Sequence, residues 1–168
     1  MDLIHLSIPY SFACERAIVS WRDIRFGLSN GLLEPKAPID KAIERVVCED
    51  VSPPEILELA GARCGDFTSE IVGQLADGEP ECLEETFLGK WAYLVLAWFY
   101  EHRDEDPDPL GRVEAVYADF GYPEEIESFV RYMPSKQPVS GSHQEAVQAL
   151  FDRWRQYIED GKRKYGCK

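Results

Sequence analysis

Ten consecutive apolar residues, Trp91-Ala92-Tyr93-Leu94-Val95-Leu96-Ala97-Trp98-Phe99-Tyr100, limit what this chain can become. They follow an amphipathic lead-in (Leu83, Phe87, Leu88), so the pattern predicts one helix over about 81–103. A buried strand competes for the ten-residue run, but the helical lead-in argues against it. A helix apolar on every face must be enclosed by other elements. The run is about half the length that crosses a bilayer, so a membrane span is excluded.

The rest of the chain supplies the enclosing helices. Ser20 caps a helix carrying Trp21, Ile24 and Leu28, with Gly31 past its end. Pro38 opens a second, followed by Ile39, Ala42, Ile43, Val46 and Val47 at helical spacing. Ser52-Pro53 opens a third, with Ile56, Leu59 and Ala60 inward and a stop at Gly61 or Gly65. Asp66 caps a fourth, whose Phe67, Ile71 and Leu75 share a face and which Gly78 ends. After the central helix come segments at about 110–119 (Val113, Val116, Tyr117) and from Pro123 (Ile126, Phe129, Val130). The last helix, at about 143–164, turns Ala146, Leu150, Trp154, Tyr157 and Ile158 inward, and its basic end suits the helix dipole. Residues 3–9 hint at extended structure. The expectation is an all-α fold: one domain over residues 1–168, a bundle of about eight helices around the buried 81–103 helix. Residues 133–142, rich in Pro, Ser and Gly, read as a linker-like loop before the C-terminal helix.

Charge is distributed unevenly. Residues 77–129 hold fifteen of the thirty-one carboxylates against three basic residues, nearly the whole formal charge of −13. Residues 130–168 sum to +4. Such a field repels nucleic acid and anionic membrane and draws in a basic partner. The bland alternative is a solvated face that keeps the protein soluble. The N-terminus lacks the basic region and apolar core of a secretion signal, so a cytoplasmic protein is expected. Five scattered cysteines with no C-x-x-C pair give neither a disulfide framework nor a zinc site.

No motif carries catalytic chemistry. His102-Arg103-Asp104 imitates a kinase catalytic loop, but Pro109 stands where a magnesium-binding Asn is needed. Asp104-x-Asp106-x-Asp108 imitates a calcium loop, but Pro109 and Ala115 occupy the positions requiring Gly and Glu. His5, His102 and His143 are far apart in sequence. Glu84-Glu85 and Glu124-Glu125 are adjacent, so each pair diverges on its helix, and both suit first turns. The sequence does not read as an enzyme, and calls for no cofactor or metal.

What remains is surface. Tyr117-Ala118-Asp119-Phe120-Gly121-Tyr122-Pro123-Glu124-Glu125 mixes aromatics with carboxylates, which suits a basic protein partner. Tyr117 and Phe120 read as core and Tyr122 as the better interface residue. The candidate partner-binding residues are Asp104, Glu105, Asp106, Asp108, Asp119, Tyr122, Glu124, Glu125 and Glu127. The chain is expected to be a monomer, or a weak homodimer if Trp or Tyr side chains of the final helix are exposed.

Several blocks resemble a bacterial family known as a conserved domain of unknown function: Trp21-Arg22-Asp23-Ile24-x-x-Gly27-Leu28, Lys90-Trp91-x-Tyr93-Leu94, Arg103-Asp104, Asp108-Pro109-Leu110, Tyr117-Ala118-Asp119-Phe120-x-Tyr122-Pro123-Glu124-Glu125-Ile126 and Phe129-Val130-Arg131-Tyr132-Met133-Pro134. The similarity runs over residues 21–134, and the helix after Ser142 lies outside it. Some members look like immunity proteins of polymorphic or contact-dependent toxin systems. The resemblance therefore implies a small acidic protein that neutralises a cognate toxin, a basic nuclease. A non-catalytic helical adaptor or regulatory protein for another basic partner is the alternative. A carboxylate enzyme in a helical bundle ranks third, because the Glu-x-x-His pattern of di-metal sites is absent.

Overall fold

The computed structural model describes residues 4, 6–49, 51–63, 68–80, 83–133 and 142–166. Leu3, His5, Cys64, Gly65, Asp66, Phe67, Glu81, Cys82, Cys167 and residues 134–141 of the linker-like stretch lie outside them. Among the described residues the fold is all-α, with nine helices. Its only extended pairing there is an isolated parallel bridge between Ile8 and Leu33. Ile8 N donates to the Leu32 carbonyl at 2.9 Å, and Glu34 N to the Ile8 carbonyl at 3.0 Å.

The packing falls into two compact units, His5–Cys82 and Met1–Ile4 with Leu83–Lys168. The first holds α1 (Tyr10–Arg16), α2 (Trp21–Ser29), α3 (Ala37–Cys48), α4 (Pro54–Gly61) and α5 (Ser69–Asp77). Ser20 starts α2 with a full capping box: its hydroxyl accepts from Asp23 N, and the Asp23 carboxylate accepts from Ser20 N at 2.7 Å. Gly31 beyond α2 takes φ +66°, the left-handed conformation that glycine adopts without steric cost. Here α2 packs on α5, and α3 packs on α1 and α4.

Three features depart from the expectations. The seven-residue α1 gave no sequence signal, having neither a side-chain cap nor an acidic first turn. On α3, Ala42 is buried but Ile43 and Val47 are exposed, because the helix packs through Ala37, Pro38 and Ala42. On α5 the fully buried residues are Val72 and Ala76, one position on from Ile71 and Leu75.

The second unit contains α6 (Glu84–Glu101), α7 (Pro109–Asp119), α8 (Glu124–Glu127) and α9 (His143–Tyr165). Every residue from 91 to 97 of α6 is at most 1% exposed, as an all-round apolar helix requires. Burying each large side chain there contributes roughly 1.5–3 kcal/mol. Against α6 lie α7 and α9. The approach of α9 is close: a Cβ at Gly161 would sit 2.2 Å from Tyr93 Cδ2, and one at Gly89 would sit 2.8 Å from the Tyr165 hydroxyl. Trp154 is fully buried, edge-on to Tyr100 at 5.2 Å and stacked with Phe151 and Phe129. Among the described residues, no helix is long and apolar enough to cross a membrane.

Candidate protein-binding surface

The surface is built on the two ends of α7. At its start, Asp108 caps the helix by accepting from Gly111 N at 3.2 Å. A Cβ at Gly111 would press on the Asp108 carboxylate, so a larger residue there would have to displace the capping side chain. Arg131 closes over this turn with its whole guanidinium. It donates to both Asp108 oxygens (2.8 and 3.1 Å) and to both Glu114 oxygens (2.8 and 3.1 Å). The Glu114 carboxylate first, and Asp108 with it, hold that guanidinium above its ordinary pKa. The loop before α7 is fixed similarly: Asp106 accepts from Arg112 Nε at 2.8 Å and from Asp108 N at 2.9 Å. Those two contacts, Arg112's leading, hold the Asp106 carboxyl below the usual range.

At the far end, α7 closes in a Schellman turn. Gly121 N donates to the Ala118 carbonyl at 3.2 Å and Tyr122 N to the Tyr117 carbonyl at 2.8 Å. Gly121 is left-handed at φ +76°, and so is Tyr122 at φ +62°. For a non-glycine residue that conformation costs about 1–2 kcal/mol. The result is a tyrosine held out from the surface, 62% exposed, with its ring edge-on to Tyr117 at 5.2 Å. Tyr132 approaches the same Tyr117 ring at 6.3 Å and is 59% exposed. Burial, then the charge of Glu127, then Tyr122 raise the Tyr117 hydroxyl pKa. Two exposed rings thus lean on one buried ring beside carboxylates.

Tyr117 and Phe120 are core and Tyr122 is exposed, as the sequence separates them. The carboxylates divide. Asp106 and Asp108 are tied to arginines, and Asp119 accepts from Ile4 N at 3.1 Å. Glu125 pairs with Lys164 at 3.1 Å, and Glu127 lies beside Tyr117. Asp104, Glu105 and Glu124 project into solvent, Asp104 only 3.9 Å from Arg103 Nε. Sequence reasoning missed Tyr132, Glu114 and Arg131. The one available signal was the Arg131-Tyr132-Met133-Pro134 block, read there only as a resemblance.

Two adjoining clefts of about 420 and 530 Å³ flank the Glu125–Lys164 pair, one lined by α8 and α9 residues and the other by α6 and residues 120–125. Among their charged groups, Glu125 pairs with Lys164 and Asp160 with Arg163. Among the described residues, no three His, Cys, Asp or Glu side chains are placed to hold a metal ion. His102 stacks on Trp98 at 4.1 Å, with Nδ1 2.9 Å from the Trp98 carbonyl, which gives it a place in the fold.

Residues 10–162 match the model of a family described as an uncharacterized protein conserved in bacteria (DUF2247). The chain belongs to that family. The match extends well past residue 134, so nearly all of α9 is a family element as well. No curated protein and no solved structure matches the chain.

Proposed function

We infer that this family member is an immunity protein. It binds a cognate bacterial toxin domain, a basic nuclease, in the cytoplasm and covers its active site or substrate groove without chemistry of its own. The observation that carries this reading is the Tyr122–Tyr132 pair, each about three-fifths exposed and backed by buried Tyr117 among carboxylates. Exposed tyrosines on a rigid support are efficient anchors: they bury large area while losing little rotamer freedom. Asp104, Glu105 and Glu124, with the −13 net charge behind them, draw in a basic surface and speed encounter.

The test is co-expression with the C-terminal domain encoded by the adjacent gene. Protection of growth and co-purification are expected. A toxic domain that kills regardless of this protein, with no complex formed, contradicts the reading.

A further inference from the structure

Elsewhere in this chain, aromatic rings near the surface are covered by the chain's own cations. Arg16 lies 3.6 Å from the Phe12 ring centroid, Arg103 4.3 Å from Tyr100 and Arg112 5.8 Å from Phe99. Lys41 and Lys164 approach Trp21 and Tyr165 at 5.2 and 5.1 Å. Among the described residues, no lysine or arginine lies over Tyr117, Tyr122 or Tyr132. The basic residue next in sequence, Arg131, spends its guanidinium on Asp108 and Glu114. These three rings therefore form an aromatic cluster without a cation.

We propose that Tyr122 and Tyr132, with Tyr117 behind them, receive one arginine side chain of the basic partner. The face of an aromatic ring is electronegative, so rings gathered in one place attract a cation. Tyr122 and Tyr132 both lean on Tyr117, at 5.2 and 6.3 Å, yet each stays about three-fifths exposed. Carboxylates strengthen the attraction. Burial first, then Tyr117, Tyr122 and Glu114, raise the Tyr132 hydroxyl pKa, so Glu114 bears on Tyr132 as Glu127 bears on Tyr117.

Arginine suits this place better than lysine. Its planar guanidinium stacks on rings and is less strongly hydrated, so an exposed aromatic face strips it of water at lower cost. The chain's own pairs follow that preference, since its two closest ring contacts are both made by arginine. The receptor is also held ready. Tyr122 is fixed at φ +62° with its N–H on the Tyr117 carbonyl, so little ordering is left to occur on binding. Which protein supplies the arginine rests on the immunity reading, whereas the receptor is a property of this chain alone.

Titration of the purified chain with N-acetyl-arginine methylamide, followed through the ring resonances of Tyr117, tests this. Half-saturation is expected at roughly 10 mM, the scale of a single cation–aromatic contact without a tethered partner. N-acetyl-citrulline methylamide, of the same shape but uncharged, should not saturate. Tyr122→Phe with Tyr132→Phe keeps both ring faces and should bind the arginine probe within about twofold of wild type. Tyr122→Leu with Tyr132→Leu keeps apolar bulk and every carboxylate, and should lose saturable binding while its circular dichroism matches wild type. A wild type that ignores the arginine probe, an equal response to citrulline, or undiminished binding by the leucine pair overturns the proposal. A toxin complex that forms while the probe is ignored refutes the arginine receptor and leaves immunity intact. Probe binding with no toxin complex supports the receptor and refutes immunity alone.

Discussion

Arg22 and Glu79 cap each other's helices. The Glu79 carboxylate accepts from Trp21 N at 2.8 Å and Arg22 N at 2.9 Å, satisfying two orphan amides at the start of α2. Arg22 answers at the end of α5, donating from Nε to the Ala76 carbonyl at 3.1 Å and from a terminal nitrogen to the Glu79 carbonyl at 3.0 Å. The negative charge meets the positive pole of one helix and the positive charge the negative pole of the other. Replacing Glu79 with Ala strands both amides and should cost about 2 kcal/mol. Urea unfolding should show a lower midpoint at an unchanged slope.

The seam between α6 and α9 depends on glycine. Gly161→Ala raises intrinsic helix propensity by up to about 1 kcal/mol, yet its methyl group would collide with the Tyr93 ring. Overpacking wins, and a net loss of about 1–3 kcal/mol is expected in thermal melts. Adding Tyr93→Leu should make the pair less costly than the sum of the two single changes.

Much of this fold is written locally. The apolar run of α6, the Ser20 cap and the Gly78 stop all appear as residue patterns, and each is found. What could not be read depends on distant partners. Trp21-Arg22-Asp23 reads as a signature but acts as scaffold, because Glu79 is 57 positions from Arg22. Likewise, nothing near Asp108 announces that Arg131, 23 positions away, will neutralise it. The candidate surface was therefore only half legible: Tyr122 stood out beside Gly121 and Pro123, while Tyr132 joined it only through Tyr117.

Acid should expose the role of Asp106. Its folded pKa is lowered, chiefly by Arg112, so its stabilising contribution is fully present above the ordinary carboxylate value of about 3.9 and disappears as pH falls through the folded value. Asp106→Asn should therefore be less stable than wild type at pH 7. The gap should close progressively below about pH 4, as followed by urea midpoints across pH.

Charge reversal should separate steering from scaffolding. Asp104→Lys with Glu105→Lys should leave the melting temperature nearly unchanged, while lowering the association rate with the toxin domain about tenfold at low salt and flattening its salt dependence. Asp108→Ala removes the α7 cap and a partner of Arg131, so it should cost about 1–2 kcal/mol of stability. Stopped-flow mixing and thermal melts, run together, distinguish the two effects.

The most direct measurement is calorimetric titration of the toxin domain with the Tyr122→Ala, Tyr132→Ala double variant. Two anchors worth about 2 kcal/mol each predict affinity weakened several-hundred-fold, from a protein whose circular dichroism matches wild type. An affinity within threefold of wild type, from an equally well-folded protein, would contradict the claim that these rings carry recognition.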